Sequence, residues 1–201
     1  MCMNQPSAEI RWFFPISEQA KVKSWFLTGA AEPDEKDRAD KYLNFGARVE
    51  TVGVKLREGK LEVKAIVGAP ALVQWGPAAG RMDQWVKWSV EAGTGLELQG
   101  DWRKVTKTRW LRKYSLDRGF PEPPQTGRPA EGCNLEFTVL KVNEDQESWC
   151  SIGFEAFGKP DRLETYLQAT VEAAFSSLPP QPGLVFDLAH SASYPVWLNR
   201  L

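Results

Sequence analysis

ETVGVKLREGKLEVKAIV, residues 50–67, is the stretch around which the rest of the chain is read. With Glu58 and Gly59 as a two-residue turn, Arg57 faces Lys60, Lys55 faces Glu62 and Gly53 faces Lys64, all on one side of a β-hairpin. Val52, Val54, Leu56, Leu61, Val63 and Ala65 take the other side, the alternation of a hairpin with one buried apolar face. An ordinary sheet would turn the charged side to bulk water. A closed barrel can turn it inward around a polar ligand.

Further alternating segments flank this hairpin. Ala8 to Phe14 sets Glu9, Arg11 and Phe13 against Ile10, Trp12 and Phe14. Arg38 to Phe45 sets Arg38, Asp40 and Tyr42 against Ala39, Lys41 and Leu43. Met82 to Glu91 shows Lys87, Ser89 and Glu91 on one face, and the basic segment Trp102 to Ser115 shows Val105, Lys107, Arg109 and Leu111. Cys133 to Val142 and Trp149 to Phe157 complete the long strands, around an acidic turn at 143–148, and Tyr194 to Leu198 reads as a short closing strand. Helices are expected at Glu18 to Leu27, capped by Ser17 and stopped by Gly29, and at Asp161 to Leu178, where Leu163, Tyr166, Leu167, Thr170 and Ala174 recur at helical spacing before Pro179-Pro180. Asp34 to Asp37 reads as a solvated loop, Gly68 to Arg81, rich in Gly, Pro and Ala, as a loop, and Asp117 to Gly132, with its four prolines, as another. Lys104, Arg112 and Lys113 are assigned to solvent. The fold class expected is α+β, mainly antiparallel β: a closed or nearly closed eight-stranded, tunnel-like barrel braced by two or more helices, forming a single domain over residues 1–201.

Composition narrows the functions. A net charge of −1 gives no global attraction to nucleic acid or to an anionic membrane, so a basic site has to be local. No stretch approaches the ~18 apolar residues of a membrane span and the N-terminus lacks a signal-like pattern, so a cytoplasmic location is expected. The single histidine, His190, excludes a His-based zinc site and leaves little for a Ser-His-Asp or Cys-His mechanism. Cys2, Cys133 and Cys150 have no metal-like spacing and are expected to be reduced thiols.

The residues that alternate against apolar ones are then the main functional signal. Arg11, Arg38, Lys55, Arg57, Lys64, Lys87, Lys107 and Arg109, with carboxylates Glu9, Glu62, Glu91, Glu136 and Glu155, come from nearly every strand. In a barrel they would converge into a cavity suited to an anionic chain such as linear phosphates, clamped by Arg forks and Lys point charges. On an open sheet they would be a wet face whose cross-strand ion pairs contribute only ~0.2–1 kcal/mol each.

The order of these pieces resembles the CYTH family, the triphosphate tunnel metalloenzymes. The resemblance lies in Glu9-Ile10-Arg11-Trp12-Phe13, in Arg38, Asp40 and Tyr42, in Lys55-Leu56-Arg57 and Glu62-Val63-Lys64, in Lys107-Thr108-Arg109, in Glu136 and Glu155, and in the ending Ser193-Tyr194-Pro195-Val196-Trp197-Leu198. It implies a tunnel that binds triphosphate or short polyphosphate with Mg²⁺ or Mn²⁺ held by Glu9, Glu136 and Glu155. If the protein is an enzyme, it implies metal-dependent hydrolysis with Lys107 and Arg109 stabilising the transition state. Arg11 stands where the family has a second Glu, Phe13 where it has a Lys, and Glu155-Ala156-Phe157 lacks a paired carboxylate, departures that imply weaker turnover. The alternative is a non-catalytic scaffold that contacts a protein partner through a tryptophan-rich surface and the Gly68 to Arg81 segment. Nucleic acid is a distant third, supported only by the basic strand with Trp102 and Trp110.

Overall fold

A computed structural model describes residues 5–28, 34–46, 49–92, 99–124, 129–143, 148–177 and 182–201. Nine strands are present among them: β1 (Gln5–Pro15), β2 (Asp34–Leu43), β3 (Val52–Arg57), β4 (Lys60–Ile66), β5 (Ala71–Trp75), β6 (Ala78–Glu91), β7 (Trp102–Ser115), β8 (Gly132–Val142) and β9 (Ser148–Phe157). Helices α1 (Gln19–Leu27), α2 (Leu163–Ser177) and α3 (Tyr194–Asn199) complete the fold. The strands run β1-β9-β8-β7-β2-β3-β4-β6, and β6 pairs back to β1, so eight antiparallel strands close into a barrel. β5 extends the edge of β6 beyond β4.

The hairpin of β3 and β4 has the register read from sequence, Arg57 opposite Lys60 through Val52 opposite Ala65. Its turn residues Glu58 and Gly59 both have positive φ, 49° and 75°, the backbone of a two-residue turn whose twist matches that of the strands. Its charged side faces the barrel interior. The apolar side faces outward and stays half-exposed, so the greasy face of this hairpin is not core.

The main core lies outside the barrel wall. Ala8, Ile10, Trp12 and Phe14 of β1, Leu135 and Phe137 of β8, and Ile152, Phe154 and Ala156 of β9 pack against Val22, Trp25 and Phe26 of α1 and Leu163, Leu167, Val171 and Phe175 of α2. Those α2 residues fall at helical spacing on one face, as the periodicity predicts. A second cluster plugs one end of the barrel from within: Val196, Trp197 and Leu198 of α3 against Phe13, Val105, Leu140 and Val142. Phe13 stacks on Trp197 with ring centroids 4.4 Å apart.

Several expectations are corrected. Tyr194–Asn199 is a helix, not a strand, with Pro195 in its first turn, where a missing N–H costs nothing. Asp34 to Asp37 belongs to β2 rather than a loop, pairing with β7. The 68–81 segment holds β5 and the start of β6. Its small residues serve packing: a Cβ on Gly80 would lie 2.7 Å from Ile10 and 2.9 Å from Ser191. Ser17 does not cap α1, which is entered through a 3-10 turn at Ile16–Glu18. Arg112 is buried beside the Phe26 ring rather than solvated. Glu91 is exposed and pairs with Lys60, outside the interior. The expected stop signals Gly29 and Pro179-Pro180, most of the acidic turn, and Cys2 lie outside the described residues.

Candidate functional site

Because side chains alternate along each strand, every second residue of each wall strand points inward. The interior holds a cavity of about 190 Å³ lined by Glu9, Arg11, Arg38, Tyr42, Gly53, Lys55, Arg57, Glu62, Lys64, Trp85, Lys87, Lys107, Arg109, Glu136, Glu155, Ser193, Tyr194 and Pro195. On the same measure a single water needs only about 10–15 Å³, so a small polyanion has room. All eight cations read from the alternation line it, against four carboxylates. α3 closes one end through Tyr194 and Pro195. Towards the other, Lys64, Lys87 and Glu155 are shared with a second cavity of about 410 Å³ at the starts of β1 and β8 and the end of β9.

At the closed end, Asp40 is fully buried. It accepts from Lys107 Nζ at 2.9 Å and lies 3.5 Å from Arg38 and 4.0 Å from Lys55. Lys107 Nζ also donates to the Tyr42 hydroxyl at 2.5 Å and sits over the Tyr194 ring, 4.1 Å from its centroid. Burial alone would raise the Asp40 pKa, but Lys107, Lys55 and Arg38 hold it at about 2. Burial lowers Lys107 to about 7, with Asp40 resisting and Arg38 assisting. Burial and then Lys107 lower Lys55 to about 8. Glu62 bridges Lys55, at 2.9 Å, and Arg57, at 2.7 Å.

Midway along the cavity Glu136 is held between two guanidiniums. Arg11 Nη2 donates to Oε1 at 2.9 Å, Arg109 Nε donates to Oε2 at 2.7 Å with a second bond from its Nη2, and Thr138 adds a hydroxyl to Oε1 at 2.8 Å. Burial opposes ionisation of Glu136, but Arg11, Arg109 and Arg38 outweigh it and hold the carboxyl well below its usual range. Nearer the mouth, Glu9 bonds Lys64 and accepts from Ser7 at 2.9 Å, directly across from Glu155 on β9. Burial, then the charge of Glu9, raises the Glu155 pKa.

Some polar atoms in this site lack partners. The Nε–H groups of Arg38 and Arg57 are buried without an acceptor, as are the hydroxyls of Ser193 and Tyr194. An unsatisfied buried donor costs about 1–3 kcal/mol.

The three carboxylates expected to hold a metal do not meet at one point. Glu136 has its lone pairs taken by two arginines and a threonine, Glu9 is engaged by Lys64 and Ser7, and Glu155 alone has no ion pair. Among the described residues no group of three His, Cys, Asp or Glu side chains could hold a metal ion. The donor set therefore does not fit a divalent cation bound by these three groups together.

Sequence reasoning collected every cation here but missed the closing wall. Tyr194 and Pro195 come from the final segment expected as a strand, Ser193 precedes it, and Trp85 lies on a strand face read only by its charges. His190 bonds Asp187 at 2.7 Å and stacks on Phe14, outside the cavity lining.

No protein-family model and no curated protein sequence matches the chain. Among solved structures, it is similar to a conserved hypothetical protein from Pyrococcus furiosus, with 12% identity over 89% of this chain and 94% of that one and a TM-score of 0.40. It is also similar to the S. pombe Pct1 RNA triphosphatase, with 9% identity over 89% and 85% and a TM-score of 0.44. The same enzyme in complex with the Spt5 CTD gives 10% identity, the same coverage and a TM-score of 0.39.

Proposed function

We propose that the barrel interior binds a triphosphate or short polyphosphate group. The observation that carries this is the convergence of eight cations from six strands onto one cavity against four lining carboxylates and the buried Asp40, with the Nε–H groups of Arg38 and Arg57 left without a partner. A wet sheet face would scatter these charges into solvent. A neutral ligand would leave the surplus positive charge buried and uncompensated. Arg38, Arg57 and Arg109 offer planar forks for phosphoryl oxygens, and Lys55, Lys64, Lys87 and Lys107 act as point charges. The mouth shared by the two cavities leaves room for whatever the phosphates are attached to. The CYTH resemblance points to the same ligand class.

Hydrolysis would use the same residues. Lys107 and Arg109 would stabilise charge building on the transferring phosphoryl oxygens, chemistry that is almost wholly positioning and electrostatics. In an active member of the resembling family a divalent cation would supply further charge neutralisation.

The test is a calorimetric titration of inorganic tripolyphosphate into the protein. Saturable heat is expected, and heat that continues past saturation would reveal turnover. Arg57→Ala removes a fork from the cavity lining, and about tenfold weaker binding by protein that still unfolds cooperatively is expected. The absence of heat under all conditions would return the protein to the scaffold reading. That reading has one observation in its favour, the half-exposed apolar outer face of β3, β4 and β6. Its tryptophan-rich surface does not exist: six of the nine tryptophans are buried and only Trp88 is exposed.

A further inference from the structure

We infer that Arg11 is a built-in cation that takes the place of a divalent metal beside Glu136, so that the cavity binds a triphosphate-class polyanion without a metal ion. This rests on the polyphosphate reading above and concerns how the charge of that ligand is neutralised.

Four features show a place made for the guanidinium. Glu136 accepts from its Nη2 at 2.9 Å and Ser151 Oγ from its Nη1 at 2.9 Å, and the Tyr194 ring lies 5.0 Å from its Cζ. Beneath it is Gly153, the register partner of Arg11 on β9. A Cβ at Gly153 would come within 2.5 Å of both Cζ and Nη2 and 2.8 Å of Nε. Gly153 is not among the glycines with positive φ, so its backbone does not demand glycine there. A Cβ there would instead have to move the guanidinium lying over it.

The consequence for metal binding is direct. A carboxylate offers about four acceptor positions, and Glu136 already receives Arg11, two bonds from Arg109 and the Thr138 hydroxyl. A hard cation that needs six or more oxygens at close range finds Glu136 occupied and Glu9 tied to Lys64. Glu155 is left as a lone carboxylate. Arg11, in contrast, has five N–H donors, of which Glu136 and Ser151 use two, and it lines the cavity. The remaining three have no acceptor among the described residues and can donate to phosphoryl oxygens. Its charge is permanent across the working pH range, whereas a metal's presence depends on supply.

The experiment is a set of calorimetric titrations with inorganic tripolyphosphate in excess EDTA, then in Mg²⁺ and in Mn²⁺ with correction for the metal–phosphate complex in solution, and of Mn²⁺ alone. Saturable binding in EDTA, no tighter in Mg²⁺ than about threefold, and no saturable heat from Mn²⁺ alone are expected, because no vacant carboxylate cluster awaits the ion. Gly153→Ala should displace the guanidinium and weaken binding in EDTA by about tenfold or more, the loss of a charge-assisted pair of hydrogen bonds. Arg11→Gln, which frees the space instead of filling it, gives a second route to the same loss should Gly153→Ala misfold. Binding that appears only with Mg²⁺ or Mn²⁺, or saturable Mn²⁺ binding alone, would overturn the inference and leave the polyphosphate reading standing. Unchanged affinity in folded Gly153→Ala or Arg11→Gln would overturn the role of Arg11. No binding in any condition would overturn both.

Discussion

Lys107 shows how burial sets charge at a single residue. Its side chain is about 1% exposed, beside Asp40 and below two tyrosine rings. Burial lowers its pKa to about 7, and Lys55 nearby falls to about 8. As pH rises from 6 to 9 both lose protons, so affinity for tripolyphosphate is expected to fall across that window. At pH 8 a bound polyanion would restore them, and proton uptake should make the calorimetric enthalpy depend on the buffer's ionisation heat. A flat affinity profile with no buffer dependence would rule out these lysines as ligands of the anion. The sign for stability is opposite. Between about 7 and the ordinary lysine value of about 10.4 the unfolded chain holds a proton that the folded Lys107 does not, so this residue makes the ligand-free protein more stable as pH rises. Asp40 acts in the acid range: its contribution is present above about 4 and disappears as pH falls through about 2. Replacing Lys107 with Met would leave Asp40 buried with weaker partners, and a cost of about 3–5 kcal/mol in denaturant unfolding is expected, as for one half of any buried ion pair.

At the level of elements, what was legible depended on length. β7, fourteen residues of sustained alternation, has the bounds its sequence predicts. The β3–β4 register follows from one turn and six alternating positions. Tyr194 to Leu198 is too short for a period to declare itself: its alternation fits a strand, but Tyr194, Trp197 and Leu198 also fall at i, i+3 and i+4. Tertiary packing decides, because only a helix places Trp197 flat on Phe13 while Tyr194 meets the same ring edge-on at 5.4 Å. The eight cations were legible for the same reason, since a two-residue period assigns faces. Their counterparts from α3 were not. The Glu136–Arg11–Arg109 arrangement brings together β1, β7 and β8, partners that alternation cannot supply. Trp197→Ala should cost about 3–5 kcal/mol in unfolding free energy, as for a large aromatic removed from a core. It should also weaken tripolyphosphate binding by freeing Tyr194 at the cavity floor. Unfolding at the wild-type midpoint would mean that α3 does not seal the barrel.

For the whole molecule, the sequence fixes two faces per strand but not which face is covered, because cover comes from elements distant in the chain. Around β1, β8 and β9 the outer face lies under α1 and α2 and is core. Around β3, β4 and β6 the outer face carries Val54, Leu56, Leu61, Val63 and Trp88, equally apolar but half-exposed and outside both core clusters. A charged interior leaves this wall no alternative, because its apolar residues can only point outward. The two walls should therefore respond unequally to the same kind of damage. Leu135→Ala, on the covered wall, creates a cavity beneath the helices and should cost about 2–5 kcal/mol. Val63→Thr, on the bare wall, keeps the volume and meets water, so a shift within about 1 kcal/mol is expected in chemical denaturation. Parallel unfolding curves of the two variants decide the matter. Comparable losses would show that the bare wall is covered in solution, and its apolar grid would then be an interface rather than the outer side of a barrel whose wall turns its charged face inward.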